Sequence, residues 1–220
     1  MMKVYGTIAS PHVARVVLVA RHKKLPLSIE WPAGGLKSAA YLAMNPIGKM
    51  PTLEHDGHII IESEVICQYL EDLHPTPTIF PGDALARAHA RTVSRVVDLY
   101  VWPAANRLFH EQLAPGWLDA AGIEASKAEL AAAFSILEKL IAAGPWAAGE
   151  FSLADCTLLT RVVMMQTTIV PALGAGDPAT AGPKLAAWWS KVTSDPFTSA
   201  FDAEMRVATD AYLATLRGGH

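Results

Sequence analysis

This chain of 220 residues contains little cysteine and has no excess of positive charge. It contains two cysteines, Cys67 and Cys156, which lie far apart in apolar helical patterns. A disulfide framework or a cysteine metal site needs more thiols at closer spacing, so we expect two buried free thiols and no metal. The formal net charge is −3. Because no basic excess is present, we expect neither nucleic acid nor an anionic membrane as a partner.

Long apolar runs are also missing. The first residues, MMKVYGTIASPHVARVV, lack the uninterrupted apolar core of a signal peptide, and the most apolar later stretch is interrupted by Arg161 and Gln166. These features predict a cytoplasmic protein without a membrane-spanning segment. The length allows one large domain or two small ones, each with enough residues to form a core.

The first part of the chain predicts a strand, a helix and a second strand. Residues 3–6 form a short apolar pattern that ends in glycine, and residues 25–31 form another. Between them, valines at helical spacing begin near His12, with Pro11 suited to the first turn and Ser10 to the N-cap. Two strands joined by such short connections should form a right-handed parallel crossover.

A β-hairpin is predicted next. The dipeptide Asp56-Gly57 separates two short apolar patterns, 52–54 and 59–61, and is a typical two-residue hairpin turn. Pro51 opens the first of these strands, and its peptide bond is either trans at a sheet edge or cis in a tight bend.

A helix should follow the hairpin directly. Apolar residues recur at helical spacing over 65–70, so we expect Ser63 as the N-cap and Glu62 just before it. A helix N-terminus suits a carboxylate ligand, and Glu62 suits an ammonium group. Together they fit the head group of an α-amino acid. The alternative is an ordinary capped helix with a solvated glutamate.

Three segments carry a family resemblance, namely ASPHVARVV, NPIGKMPTL and ESEVICQYL. In this order and at this spacing they resemble the N-terminal domain of the soluble glutathione S-transferases. The resemblance implies a thioredoxin-like α/β domain over 1–75, in the order βαβ-α-ββα with a mixed four-stranded sheet. It also implies a cis bond before Pro51, and it implies that Glu62 and Ser63 hold the γ-glutamyl end of glutathione.

The rest of the chain has no strand pattern. Residues 76–83 are rich in proline and predict a linker, followed by an all-α domain over 84–220. We expect a long helical segment over 84–113 with a kink at Pro103, and a second over 123–142.

Capping signals divide the remaining residues. Ser152 with Asp155 three residues later is a variant of the capping box and predicts a third helix, which Pro171 should end. Pro183 should begin a fourth. The segments GEFSLADCTLL and PAANRLFHEQLAP extend the resemblance to the whole chain, with features of the phi class and its bacterial relatives. A homodimer is implied by the family.

The resemblance also implies which residue activates glutathione, the co-substrate. An ordinary thiol has a pKa near about 8.5, and only the thiolate is a good nucleophile. Ser10, at the N-cap of the first helix, matches the catalytic serine of related classes and would donate a hydrogen bond to the thiolate. The alternative is that Ser10 only caps the helix and Thr7 donates instead.

Glutathione also needs partners along its peptide. The resemblance implies that the main chain of Met50, next to Pro51, pairs with the cysteinyl part. Lys37 and Lys49 are the candidate cations for the glycyl carboxylate, and the alternative for each is a solvated surface charge. The second substrate should be a hydrophobic electrophile, for which we expect contacts from His12, Phe109 and His110.

The expected function is that of a glutathione transferase, which conjugates the thiolate to electrophiles in detoxification. A glutathione-dependent isomerase, dehalogenase or peroxidase is the alternative enzyme, because the same thiolate serves each reaction. A non-catalytic protein that binds glutathione or another partner is the alternative from a different class.

Overall fold

The computed structural model describes residues 2–218, with side chains described as far as residue 216. The chain divides into two compact units, Met1–Ile79 and Phe80–His220. This division falls inside the predicted linker, 76–83. The predicted domain limits themselves, which include residues 1, 219 and 220 outside the described part, remain predictions.

The first unit contains the predicted mixed sheet. Its strands are β1 (Met2–Tyr5), β2 (Leu27–Glu30), β3 (Thr52–His55) and β4 (His58–Ile61), in the order β2-β1-β3-β4. β1 is parallel to β2 and antiparallel to β3, and β3 and β4 form the hairpin. The register partners Val4 and Leu53, on the two central strands, are both fully buried. The thioredoxin-like fold predicted from the sequence is therefore confirmed.

The helices of this unit are α1 (Pro11–His22), α2 (Ala39–Met44) and α3 (Ser63–Leu73). α1 packs against α3, and two polar contacts define how the helices are aligned. Arg15 contacts Ser63, and Lys23, the C-cap residue of α1, contacts Glu71. Each contact joins residues 48 positions apart in the sequence. The two helices therefore run parallel, and both N-termini lie at the same end.

The Lys23–Glu71 contact is a buried ion pair. The Lys23 Nζ atom lies 2.5 Å from a Glu71 carboxylate oxygen, and the two side chains are 0% and 8% exposed. Lys23 also donates to the carbonyls of His74 at 2.7 Å and Pro77 at 2.8 Å. Burial alone would raise the pKa of Glu71, but hydrogen bonds from Lys23, Thr78 and Ile79 outweigh it and lower that pKa. The pair thus fixes the segment that follows α3.

The described part of the second unit is helical, as predicted. The helices are α4 (Ala84–Val96), α5 (Trp102–Leu113), α6 (Ala120–Leu140), α7 (Leu153–Thr167), α8 (Ile169–Leu173), α9 (Pro183–Ser194) and α10 (Pro196–Gly218). A short 3₁₀ turn, Pro178–Thr180, precedes α9. No helix within residues 2–218 is long and apolar enough to cross a membrane.

The helices near two prolines differ from the sequence prediction. A π-helical turn, Val97–Val101, separates α4 from α5 where a kink at Pro103 was expected. This wider turn suits Pro103, which has no N–H and whose ring needs room near the carbonyl four residues earlier. Pro171 does not end α7, because α7 stops at Thr167 and Pro171 lies within α8. The ring of Pro171 needs room near the carbonyl of Thr167, four residues earlier. The helix therefore ends at Thr167 and not at the proline itself.

The capping box of α7 is confirmed. The Asp155 carboxylate accepts hydrogen bonds from the Ser152 N–H at 2.9 Å, the Ala147 N–H at 2.8 Å and Trp188 Nε1 at 2.9 Å. Burial raises the pKa of Asp155 to about 6, and these hydrogen bonds oppose the rise. One carboxylate thereby joins the start of α7 to the loop before it and to α9.

Glu71→Gln should destabilise the first unit by about 3–5 kcal/mol at neutral pH, because it leaves the buried Lys23 ammonium without its counter-charge. The folded state lowers the pKa of Glu71, so this stabilisation is present above the unfolded pKa of about 4.3 and is lost as the pH falls through the folded value. The difference between wild type and variant should therefore shrink in acid. Urea unfolding at a series of pH values measures it.

The matched control replaces both partners, as Lys23→Met with Glu71→Leu. This double variant should be closer in stability to the wild type than Glu71→Gln is, because no charge is left buried alone. Equal stability of Glu71→Gln and wild type at neutral pH would contradict this role of the ion pair.

Candidate active site

The loop between β1 and α1 presents Ser10. The Gly6 N–H bonds to the Glu30 carbonyl at 2.8 Å, and the Ser10 N–H bonds to the Thr7 carbonyl at 3.0 Å. Gly6 has a φ of +144°, and a Cβ there would lie 2.6 Å from a methyl of Val13. The tight passage from strand to helix therefore requires glycine at this position.

Ser10 is the N-cap residue of α1, as predicted, with extended backbone angles. Its side chain makes no capping hydrogen bond, although serine at this position usually makes one. The residue is half-buried, and the first backbone N–H groups of α1, which have no partner within the helix, follow it directly in the chain. Thr7 differs, because its hydroxyl oxygen accepts from the Ala9 N–H at 3.3 Å. The Ser10 hydroxyl is thus the one not used by the loop's own backbone.

A second turn lies next to this loop. The Met50–Pro51 bond is cis, as the family resemblance implied. A Cβ placed on Gly6 would lie 3.1 Å from the Cβ of Met50, so the end of β1 and this turn are neighbours. β3 begins immediately after the proline, at Thr52.

Buried polar side chains hold the turn in place. The Lys49 carbonyl accepts from the Tyr41 hydroxyl at 2.9 Å and from the Asn45 side-chain amide at 2.8 Å. Both side chains also bond to the Thr52 hydroxyl, at 2.8 Å and 2.9 Å. The sequence analysis assigned no role to Tyr41 or Asn45. These bonds join Tyr41 of α2 and Asn45, its C-cap residue, to the turn and to the start of β3, which the spacing of apolar residues does not show.

The two predicted lysines lie near the same turn. The Lys37 ammonium would be 2.8 Å from a Cβ on Gly48, which has a φ of +64°, so it lies directly over that glycine. Lys49 is two residues before Pro51, and both lysine side chains are exposed. Neither lysine forms an ion pair with another residue of the described part. The Lys37 ammonium therefore lies close to the residues before the Met50–Pro51 bond, and Lys49 precedes that bond directly in the chain.

The start of α3 corrects one prediction. Ser63 is the first helical residue rather than the N-cap, and Glu62 occupies the cap position with a φ of +69°. Such a backbone conformation costs a non-glycine residue about 1–3 kcal/mol. Glu62 is exposed, whereas Ser63 is 4% exposed. The serine hydroxyl does not bond to the next turn of α3, because it is engaged by a residue of α1.

That residue is Arg15, which sequence reasoning did not assign to the site. Its Nη2 atom donates to the Ser63 hydroxyl oxygen at 2.7 Å, and the arginine side chain is almost fully buried. His12 Nδ1 lies 3.4 Å from the same oxygen. An arginine among the valines of α1 was the available signal, but its partner is on another helix. The structure thus places Arg15, His12 and Ser63 together at the common N-terminal end of α1 and α3.

The predicted contacts for the second substrate are divided between the two units. His12 belongs to the first unit, and Phe109 and His110 belong to α5 in the second. Phe109 is half-buried and His110 is exposed, with the His110 ring 5.5 Å from that of Trp117. Trp117 lies in the loop that follows α5. The buried carboxylate of Glu111 orders that loop by accepting from the N–H groups of Gly116 and Leu118 at 2.9 Å and 2.7 Å. Sequence reasoning did not identify Trp117.

Comparison with known proteins agrees with these features. Residues 4–78 match the family model for the glutathione S-transferase N-terminal domain, and residues 120–188 match the model for the C-terminal domain. Glutathione S-transferase 3 of Zea mays is 29% identical over 210 residues, which are 89% of this chain and 90% of the maize protein.

Two further relatives extend the comparison. A Drosophila melanogaster protein described as probable maleylacetoacetate isomerase 2 is 30% identical over 161 residues, or 67% of each chain. The crystal structure of glutathione transferase F7 from Populus trichocarpa superposes with a TM-score of 0.79 at 25% identity, covering 94% of this chain and 99% of that one. This chain belongs to the glutathione S-transferase family.

Proposed function

We propose that this protein is a glutathione transferase that conjugates the glutathione thiolate to hydrophobic electrophiles. The observation that carries the proposal is the Ser10 hydroxyl, which stands at the N-cap of α1 without capping it. A hydroxyl donor beside unpaired helix N–H groups favours a thiolate over a thiol. Ser10 would therefore lower the pKa of the bound thiol, which raises the fraction of nucleophile at neutral pH.

Glutathione would bind as an extended peptide along the Met50–Pro51 turn. The Met50 main chain pairs with the cysteinyl part, in the manner of a strand added to the sheet edge. Lys37 and Lys49 bind the glycyl carboxylate. Two observations support this role: both residues are near the turn, and neither ammonium forms an ion pair with a described side chain.

The γ-glutamyl end would bind at the start of α3. Glu62 is exposed and accepts the ammonium, while Ser63 and the first N–H groups of α3 bind the carboxylate. Arg15 is a positioning residue in this account. Because its guanidinium donates to the Ser63 oxygen, the hydroxyl proton is left to donate to the ligand.

The electrophile would contact Phe109 and His110, which the sequence also assigned to it. Phe109 is apolar and half-buried, and His110 with Trp117 adds aromatic surface on a loop ordered by Glu111. Planar hydrophobic substrates suit such side chains. The sequence prediction also gave His12 to the second substrate, but its contact with Ser63 favours the glutathione side.

An isomerase is the second candidate. The Drosophila relative is described as a probable maleylacetoacetate isomerase, and addition of the same thiolate to a double bond would begin such a reaction. Turnover of a cis-unsaturated diketo acid without net consumption of glutathione would distinguish it from conjugation. A dehalogenase or a peroxidase would use the same thiolate, and a non-catalytic protein would bind glutathione without turnover.

We also propose a cytoplasmic homodimer. Leu85 is 80% exposed and Val65 is 52% exposed, and both are apolar side chains that an interface between two copies would cover. Cys67 and Cys156 are buried free thiols, which agrees with a reducing compartment.

Ser10→Ala should lower kcat/KM for an activated aryl halide about a hundredfold at neutral pH, as removal of one donor to a reacting anion does. The affinity for glutathione should change by about twofold at most, because the peptide contacts remain. The rate of the variant should keep rising toward the ordinary thiol pKa of about 8.5. Conjugation kinetics across pH, with calorimetric titration of glutathione, measure both quantities.

Thr7→Val is the matched control, since it removes the other hydroxyl of the loop without changing its volume. We expect it to retain most of the activity. Loss of conjugation in Thr7→Val, with normal activity in Ser10→Ala, would transfer the role to Thr7. A wild-type protein that does not bind glutathione would overturn the proposed function.

Glu62→Gln should weaken glutathione binding about tenfold or more, because it removes the negative partner of the ammonium and keeps the shape of the side chain. The kcat at saturating glutathione should change little, since this contact is the same in the ground state and the transition state. Glu64→Gln, two residues further along α3, is the control and should bind normally. Similar losses in both variants would show a general charge effect instead.

A further inference from the structure

A cleft of about 300 Å³ lies within the second unit, between α6 and the loop that precedes α9. One wall is part of the loop 176–181. The other wall is a single face of α6, whose residues recur at intervals of three and four positions. These residues are Lys127, Leu130, Ala131, Phe134 and Ser135.

Hydrogen bonds on two sides hold the loop wall in place. Asp177 Oδ1 accepts from the Ala179 N–H and from the side-chain amide of Gln166 in α7, both at 2.9 Å. The Gln166 carbonyl oxygen in turn accepts from Arg206 of α10. Just beyond the cleft, Glu138 of α6 accepts from the first two N–H groups of α9 at 2.7 Å and 2.9 Å. The cleft is therefore preformed, so a ligand would not have to order its walls.

The floor of the cleft is apolar. Leu130 and Phe134 line it and are only 3% and 2% exposed, so they lie at its base. Ala131 and Ser135, on the same face of α6, are exposed and form the rim. An apolar base below a polar rim is the usual arrangement of a small-molecule site.

The polar groups around the cleft are acceptors of hydrogen bonds. The Ser135 hydroxyl donates to the Ala131 carbonyl at 3.0 Å, and the Thr180 hydroxyl donates to the Asp177 carbonyl at 3.1 Å. Each hydroxyl has thus used its proton and keeps lone pairs. The second carboxylate oxygen of Asp177, Oδ2, accepts no hydrogen bond from the residues that the structure describes. A ligand that donates hydrogen bonds matches these groups.

The charge left without a counter-charge is negative. The Lys127 ammonium lies 2.9 Å from Glu124, and Arg206 lies 2.7 Å from Asp202 of its own helix. Asp177 forms no ion pair with any side chain described, that is, as far as residue 216. A cationic ligand would supply the missing partner.

We propose that this cleft binds a small amphipathic amine, whose ammonium group pairs with the Asp177 carboxylate and whose apolar body lies on Leu130 and Phe134. The hydroxyl oxygens of Ser135 and Thr180 provide further acceptors, one on each wall. The volume is at the lower end for small-molecule sites, about 300–1,000 Å³, and fits an arylalkylamine. This binding site lies beyond the proposed function and does not depend on it.

Three ligands of one shape test the charge preference, namely 2-phenylethylamine, 2-phenylethanol and 3-phenylpropanoate. Titration of the full chain, followed by ¹H–¹⁵N NMR, measures each affinity and locates the binding site. The amine should bind about tenfold or more tightly than the alcohol, and the carboxylate more weakly than both. The amine should shift signals within 127–135 and 176–181. Equal affinities for amine and alcohol would overturn the proposal, as would no binding of the amine or shifts confined to other residues.

Asp177→Asn removes the charge and keeps an oxygen that can accept from Ala179 and Gln166. It should lower the affinity for the amine about tenfold and change that for the alcohol by about twofold at most. Asp210→Asn is the control, because Asp210 is exposed on α10 and does not line the cleft. Unchanged affinity for the amine in Asp177→Asn, or an equal loss in Asp210→Asn, would contradict the role of Asp177.

A second pair of variants tests the cleft without touching its charge. Ala131→Leu places a larger side chain at the rim and should weaken binding of both amine and alcohol about tenfold or more. Ala132→Leu makes the same change at the next exposed position, outside the cleft, and should bind both normally. Thermal unfolding checks that all four variants are folded. Normal binding of the amine in Ala131→Leu would overturn the placement of the ligand in this cleft.

Discussion

The parallel packing of α1 on α3 is the constraint on which the glutathione half of the proposed site depends. Two polar contacts, Arg15 with Ser63 and Lys23 with Glu71, lie eight residues apart along each helix, or about 12 Å. Parallel alignment is not favoured by the helix dipoles alone, since it brings like ends together. Its consequence is a region where both N-termini meet, and such a region attracts anions.

The proposed chemistry follows from that arrangement. Ser10 ends the loop before α1, and Ser63 begins α3, so each helix N-terminus has a serine hydroxyl that does not cap it. One hydroxyl suits a thiolate and the other suits a carboxylate, which are the two anionic groups near opposite ends of the γ-glutamyl-cysteinyl unit. The buried Arg15 holds the second hydroxyl from behind. A serine hydroxyl at a helix N-terminus would thus serve both steps, activation of the sulfur and recognition of the peptide.

Local sequence signals predicted the elements well and their contacts poorly. The order of strands and helices, the Asp56-Gly57 turn and the N-cap position of Ser10 depend on neighbouring residues, and the structure confirms them. Ser63 was placed one position wrongly, because its hydroxyl serves Arg15 rather than its own helix. The hydrogen bonds from Tyr41 and Asn45 to the Lys49 carbonyl, beside the Met50–Pro51 turn, were missed, since the spacing of apolar residues does not show which polar groups meet. Glu62 with positive φ could not be foreseen, because glutamate rarely adopts it.

In the proposed mechanism, Ser10 stabilises the thiolate of bound glutathione. Ultraviolet absorption of the thiolate, followed against pH in the binary complex, measures the pKa of the bound sulfur directly. We expect a pKa clearly below the ordinary thiol value of about 8.5 in the wild type, and a pKa closer to that value in Ser10→Ala. A bound thiol that titrates like free glutathione in the wild type would contradict this role of Ser10, even if the peptide binds tightly.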